Sequence, residues 1–150
     1  MGPDAPLKIS DPADPQDQAD LHEALFAFNW QATGYADGRS LSCFVRDEDG
    51  RLVAGFDGFT WGGYARVEYL WVDEARRGQG LGRALMNAAI EEARARGCVT
   101  MVLDTHTFQA PGFYERLGFT EVGRTTDTPV GHGQVLYQRR LLPGPPASSG

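Results

Sequence analysis

The sequence predicts an α/β fold: a mixed, mostly antiparallel central sheet with helices on both faces and one parallel strand–helix–strand crossover. Runs rich in β-branched and aromatic residues alternate with stretches of helical period. One such run passes through glycines into a helix and then into a strand with apolar residues on both faces, the order of a right-handed parallel crossover. A chain of 150 residues, 41% hydrophobic and 23% charged, suffices for one core and is too short for two comfortable ones.

The elements follow in chain order. "LKIS", residues 7–10, is a candidate edge strand. After the proline-rich "DPADP", Asp17 is expected to cap a first helix that carries Leu21, Ala24, Leu25 and Phe28 at helical spacing. "LSCFVRD", the turn "EDG" and "LVAGFDGFTW" read as a hairpin. "ARVEYLWV", residues 65–72, alternates Val67, Tyr69 and Trp71 on one face with Glu68, Leu70 and Val72 on the other. From Leu81 the period turns helical, with Leu81, Ala84, Leu85, Ala88 and Ala89 in one stripe and Gly97 as the stop. "CVTMVLDT" is the central strand, and a short helix with Ala110, Phe113, Tyr114 and Leu117 on one side ends at Gly118. "FTEVGRT" and "QVLYQRRL" close a single domain over residues 1–142, and "PGPPASSG", residues 143–150, is expected to be a disordered tail.

Composition excludes several roles. Fourteen basic against twenty acidic side chains leave a net charge of −6, which argues against a nucleic-acid surface. No apolar run approaches the roughly 20 residues of a membrane-spanning helix, and "MGPDAPLKIS" lacks the basic and apolar regions of a secretory signal. Cys43 and Cys98 lie in strand-like runs, where a free thiol behaves as a small hydrophobe, so a reducing cytoplasm is the expected setting. No metal is expected, and a homodimer is left open.

The stretch "ARRGQGLGRAL", residues 75–85, carries the chemistry. Glycines admit positive φ and close approach of a ligand, and the first N–H groups of the following helix point outward without intrahelical partners. With Arg76, Arg77 and Arg83 around it, this is a place for phosphate. The Gly-Lys-Ser/Thr of a nucleotide-triphosphate loop is absent, and the glycines run G-x-G-x-G rather than G-x-G-x-x-G. Asp104, at the end of the following strand, stands in the position of a ribose-binding acid, but one crossover leaves no room for a dinucleotide fold.

Here the chain resembles the GNAT superfamily of N-acetyltransferases. "LWVDEARRGQGLGRAL" is similar to that family's acetyl-CoA motif, with Arg77-Gly78-Gln79-Gly80-Leu81-Gly82 at its centre. "FQAPGFYERLGF", residues 108–119, is similar to its second motif, with Gln109 in place of the usual asparagine. The resemblance implies acetyl-CoA with its pyrophosphate on the backbone from Gly78 to Arg83 and its pantetheine arm along Leu70, Trp71 and Val72, reaching Gln109. It implies Tyr114 as the acid that protonates the leaving thiolate.

The base is less defined. The family's occasional glutamate falls at Arg66, whereas this chain has Glu68, which fits either as base or as a partner for Arg66. His132, in the loop "TPVGHGQ", is the second candidate. Asn29, Trp30, Trp61 and Tyr64, with Glu68, are candidates to line an acceptor pocket. The expected acceptor is the primary amine of a small molecule, attacking directly; a protein or peptide amino group and a non-catalytic CoA-binding module are the alternatives.

Overall fold

The computed structural model describes residues 5–142, so the expected tail at 143–150 lies outside the described residues. The described residues fall into two compact units, one running to Ala36 and the other beginning at Asp37.

The first unit holds α1, Pro15–Thr33. Its cap is Asp14, three residues earlier than the predicted Asp17: the carboxylate accepts from the N–H groups of Gln16 and Asp17, and Pro15 occupies the first helical position. A proline there forfeits an N–H that would have no helical partner and brings a preset φ. Gly34, at φ 80°, closes the helix by donating to the Trp30 carbonyl. The predicted stripe is exposed, with Leu21 at 68% and Phe28 at 67% of full exposure. Residues 7–10 form no strand, and Leu7 and Ile9 are nearly fully exposed. An isolated strand of two apolar residues buries too little to offset the entropy of ordering it.

The second unit is a six-stranded sheet in the order β1-β2-β3-β4-β6-β5. Its strands are β1 (Arg39–Arg46), β2 (Leu52–Trp61), β3 (Tyr64–Val72), β4 (Thr100–His106), β5 (Thr120–Thr126) and β6 (Gly133–Arg140). The pairs β1/β2, β2/β3, β4/β6 and β5/β6 are antiparallel, and β3/β4 alone is parallel. The hairpin turn is fixed by Asp47, whose carboxylate accepts from the N–H groups of Asp49 and Arg51.

Two helices join these strands. The crossover between β3 and β4 is α2 (Leu81–Ala95), and α3 (Pro111–Arg116) follows β4. The buried side of α2 is Leu85, Met86, Ala89, Ile90 and Ala93, rotated from the predicted stripe so that Ala84 and Ala88 face outward. Met86 and Ile90 remove more apolar surface from water than two alanines do, and they set the rotation. They join Leu41, Phe56, Val67, Leu103, Val135 and Tyr137 in one core. Cys98 is buried just ahead of β4, and both cysteines are free. No described helix is long and apolar enough to cross a membrane.

Candidate active site

The parallel pair is short. β3 and β4 are in register only from Tyr64/Thr100 to Arg66/Val102, and beyond that point they part. A cleft of about 1320 Å³ occupies the fork, with the second half of β3 on one side, the end of β4 on the other and the start of α2 at its far end.

A slip in register shapes the β3 wall. Asp57 of β2 faces Tyr69 and the next residue, Gly58, faces Val67, so Glu68 is an extra residue in β3. The slip overturns the predicted alternation. Val67 is in the core and Leu70 and Val72 pack against it, while Tyr69 and Trp71 are exposed at 69% and 46%. Gly58 makes room for the bulge, because a Cβ there would collide with the Arg66 carbonyl oxygen. Glu68 itself is exposed and lines the cleft.

At the α2 end, the strand passes through a single 3-10 turn, Glu74–Arg76, into Gly78 at φ 77° and Gly80 at φ 81°, the left-handed region that glycine enters without steric cost. Gly80 caps α2 with no side-chain acceptor, and the first helical hydrogen bond is that of Ala84 to the Gly80 carbonyl. The N–H groups of Leu81, Gly82 and Arg83 are thus left to a ligand. Arg76, Arg77 and Arg83 line the same end, and among the described residues none of them has a carboxylate within ion-pair distance. The Nε of Arg77 donates to the Val72 carbonyl at 3.0 Å, clamping the loop onto the strand end. An uncapped helix N-terminus facing unneutralised guanidinium groups is a strong anion site.

Tyr114 of α3 sits at the fork and is 8% exposed. Its ring packs against Phe113, Phe119 and Tyr137. Among the described residues no fully buried polar side-chain atom lacks a hydrogen bond, and the Tyr114 hydroxyl has no protein partner, so this hydroxyl is the part of the side chain that reaches the cleft. Burial, and secondarily the charge of Asp104, push its pKa up to about 12.

The opposite end, which sequence reasoning did not assemble, is polar. Arg66 of β3 donates to Asp104 of β4 at 2.7 Å, and Gln134 of β6 donates to the other Asp104 oxygen at 3.4 Å. His106 lies two residues beyond Asp104 on the same side of β4. Gln109 lines the cleft, where its Oε1 accepts from Thr105 Oγ1 and the His106 N–H and lies 3.2 Å from His106 Nδ1, leaving its amide nitrogen for a ligand.

Trp61, Tyr64 and His132 of the second unit do not line this cleft. His132 packs edge-on against Phe108, centroids 5.0 Å apart. Trp61 and Tyr64 meet edge to face at the hairpin joining β2 and β3. Asn29 and Trp30 belong to α1 in the first unit, where the Asn29 carbonyl accepts from Thr33 Oγ1.

An anion cradle that runs on into an unpaired strand edge suits a ligand that is a diphosphate at one end and a peptide-like arm at the other, and the proteins so defined are CoA-dependent acyltransferases. The chain belongs to the acetyltransferase (GNAT) family, whose model matches residues 7–119, and it is an acyltransferase. The acetyltransferase Atu2258 of Agrobacterium fabrum is 38% identical over 133 residues, covering 89% of this chain and 97% of that protein. The blasticidin-S acetyltransferase of Streptomyces morookaense is 42% identical over 97 residues, covering 63% of this chain and 70% of that one. A crystal structure from Agrobacterium tumefaciens superposes with a TM-score of 0.83 at 35% identity, covering 90% of this chain and 98% of its counterpart.

Proposed function

We propose that this enzyme acetylates the primary amine of a small molecule by direct attack on acetyl-CoA. Acetyl-CoA supplies the acyl group as an activated thioester. The N–H groups of Leu81, Gly82 and Arg83 would hold its pyrophosphate, with Arg76, Arg77 and Arg83 adding charge. The β3 edge from Leu70 to Val72, which β4 does not pair, would hold the pantetheine arm as an added strand, with the Gln109 amide nitrogen as a further donor. A main-chain N–H at the Glu68 bulge would steady the thioester oxygen, favouring the developing charge over the ground state.

Tyr114 serves the sulfur. Its phenol is neutral throughout the physiological range, and its hydroxyl donates to the departing thiolate. With Asp104 paired to Arg66, the Glu68 carboxylate leaves the acceptor end with a negative charge that draws in a cationic amine. The single observation that carries this function is the uncapped, arginine-ringed start of α2 opening onto the same cleft as the Tyr114 hydroxyl. The likeness to a blasticidin-S acetyltransferase favours a small-molecule acceptor over a protein one.

The test is thiol release from acetyl-CoA against a panel of small amines and amino-terminal peptides. The expected result is stoichiometric release with one class of small amines and none with peptides. CoA binding without acetylation of any amine contradicts it.

A further inference from the structure

We infer that His106, through its Nε2 atom, is the general base that takes the proton from the attacking amine; this rests on the acetyltransferase function proposed above. The geometry fixes which nitrogen is basic. Gln109 Oε1 accepts the His106 backbone N–H at 2.7 Å, so the amide cannot be turned to place its NH2 there. The same oxygen lies 3.2 Å from His106 Nδ1, and facing an acceptor, Nδ1 must carry the hydrogen. Nε2 then holds the lone pair, and among the described residues it has no protein partner.

The ring is also held in plane. Phe108 stacks on it at 5.0 Å with 18° between planes, and Phe108 is itself braced by the edge contact with His132. His106 and Tyr114 thus stand in one cleft with opposite proton duties, an acceptor with a free lone pair and a neutral donor. Beyond the short β3/β4 pairing, the outward residues of β4 step along the cleft about 7 Å apart, from Asp104 to His106. An amine drawn toward Asp104 therefore meets the imidazole as the next side chain.

The step balances. The amine nitrogen forms its bond to the acetyl carbon, the carbon–sulfur bond breaks, and the nitrogen's surplus proton passes to His106 Nε2. Tyr114 gives its hydroxyl proton to sulfur. Afterwards the imidazolium loses a proton to solvent and the phenolate regains one, leaving amide and thiol as products. The charged or titratable groups around the imidazole are Asp104 on its own strand, Arg66 and Glu68 on β3, Tyr114 and Arg116 on α3, and His132 beyond Phe108.

Two measurements decide it. Long-range 15N–1H NMR of the whole chain, with the His106 signals identified by their loss in H106Q, is expected to show the Nδ1–H form at alkaline pH. A dominant Nε2–H form overturns the proposal without any acceptor being needed. With an amine found in the panel, H106Q is expected to lower kcat/KM by roughly 10²- to 10⁴-fold and to abolish the acidic limb of the pH profile. Its CoA affinity by calorimetry should stay within about twofold, which also reports folding. E68Q should keep that limb. If H106Q keeps the limb and E68Q loses it, the imidazole is not the base; if no amine is acetylated by wild type, the function itself fails and the step fails with it.

Discussion

The two ends of the cleft are built differently. The α2 end is made by consecutive residues: two left-handed glycines, an uncapped helix start and arginines within a few positions of one another. The fork end is made by residues that meet only through the sheet, Arg66 with Asp104 across 38 positions and Gln134 from a third strand. Under the proposed function, the first end would bind mainly with backbone and so tolerate changes of side chain, while the second would work with side chains held by other side chains. Binding and chemistry should therefore separate under mutation.

The largest expected effect is at the fork. Tyr114→Phe removes a hydroxyl that bonds no protein group, so the fold should persist while kcat falls roughly 10²- to 10⁴-fold with little change in acetyl-CoA KM. An undiminished kcat takes the phenol out of the reaction. Gly58→Ala comes next, because its methyl group would strike the Arg66 carbonyl and force the bulge to re-form. Thermal unfolding should report a loss of about 1–3 kcal/mol together with lowered turnover. A fully active and stable alanine variant would show that the bulge is not needed.

At the other end the effects are smaller and fall on affinity. Gly80→Ala has open space for its methyl but forces an L-residue to φ 81°, costing about 1–2 kcal/mol. If the cost is relieved by reshaping the loop, CoA affinity drops by about tenfold. Arg83→Ala should weaken CoA by only a few fold, with the difference vanishing at high salt, because its charge is one of several and is exposed.

Asp104→Asn sharpens the fork electrostatically. Burial is the larger cause of the raised Tyr114 pKa and Asp104 the smaller, so an ultraviolet titration of the phenol should show it fall from about 12 yet remain above 10. The sign for stability follows. The folded pKa lies above the unfolded value of 10, so the contribution of Tyr114 is intact below pH 10 and is lost as pH rises through about 12. Y114F should flatten that part of the alkaline stability profile.

What could be read from sequence divides along the same line. Positive φ demands glycine and an amphipathic helix repeats locally, so the cradle and the strand boundaries stand out in "ARRGQGLGRAL" and its neighbours. The Asp14 cap was also within reach, since a proline at the next position favours an N-cap there over Asp17. The bulge at Glu68 is a property of pairing with β2, and its only trace in the sequence is the glycine at 58. The rotation of α2 shows the same limit, because spacing alone did not weigh Met86 and Ile90 against alanines. His106 carries no motif; its proposed role rests on Gln109 turning back onto it and Phe108 stacking against it.

The most direct test of this division is calorimetric titration of CoA into wild type, G80A, Y114F and H106Q under one set of conditions. Affinity is predicted to fall about tenfold in G80A and to stay within about twofold in the other two. A G80A variant that binds like wild type, or a loss of affinity centred on Tyr114 or His106, would contradict an account in which the start of α2 holds the cofactor and the fork carries out the transfer.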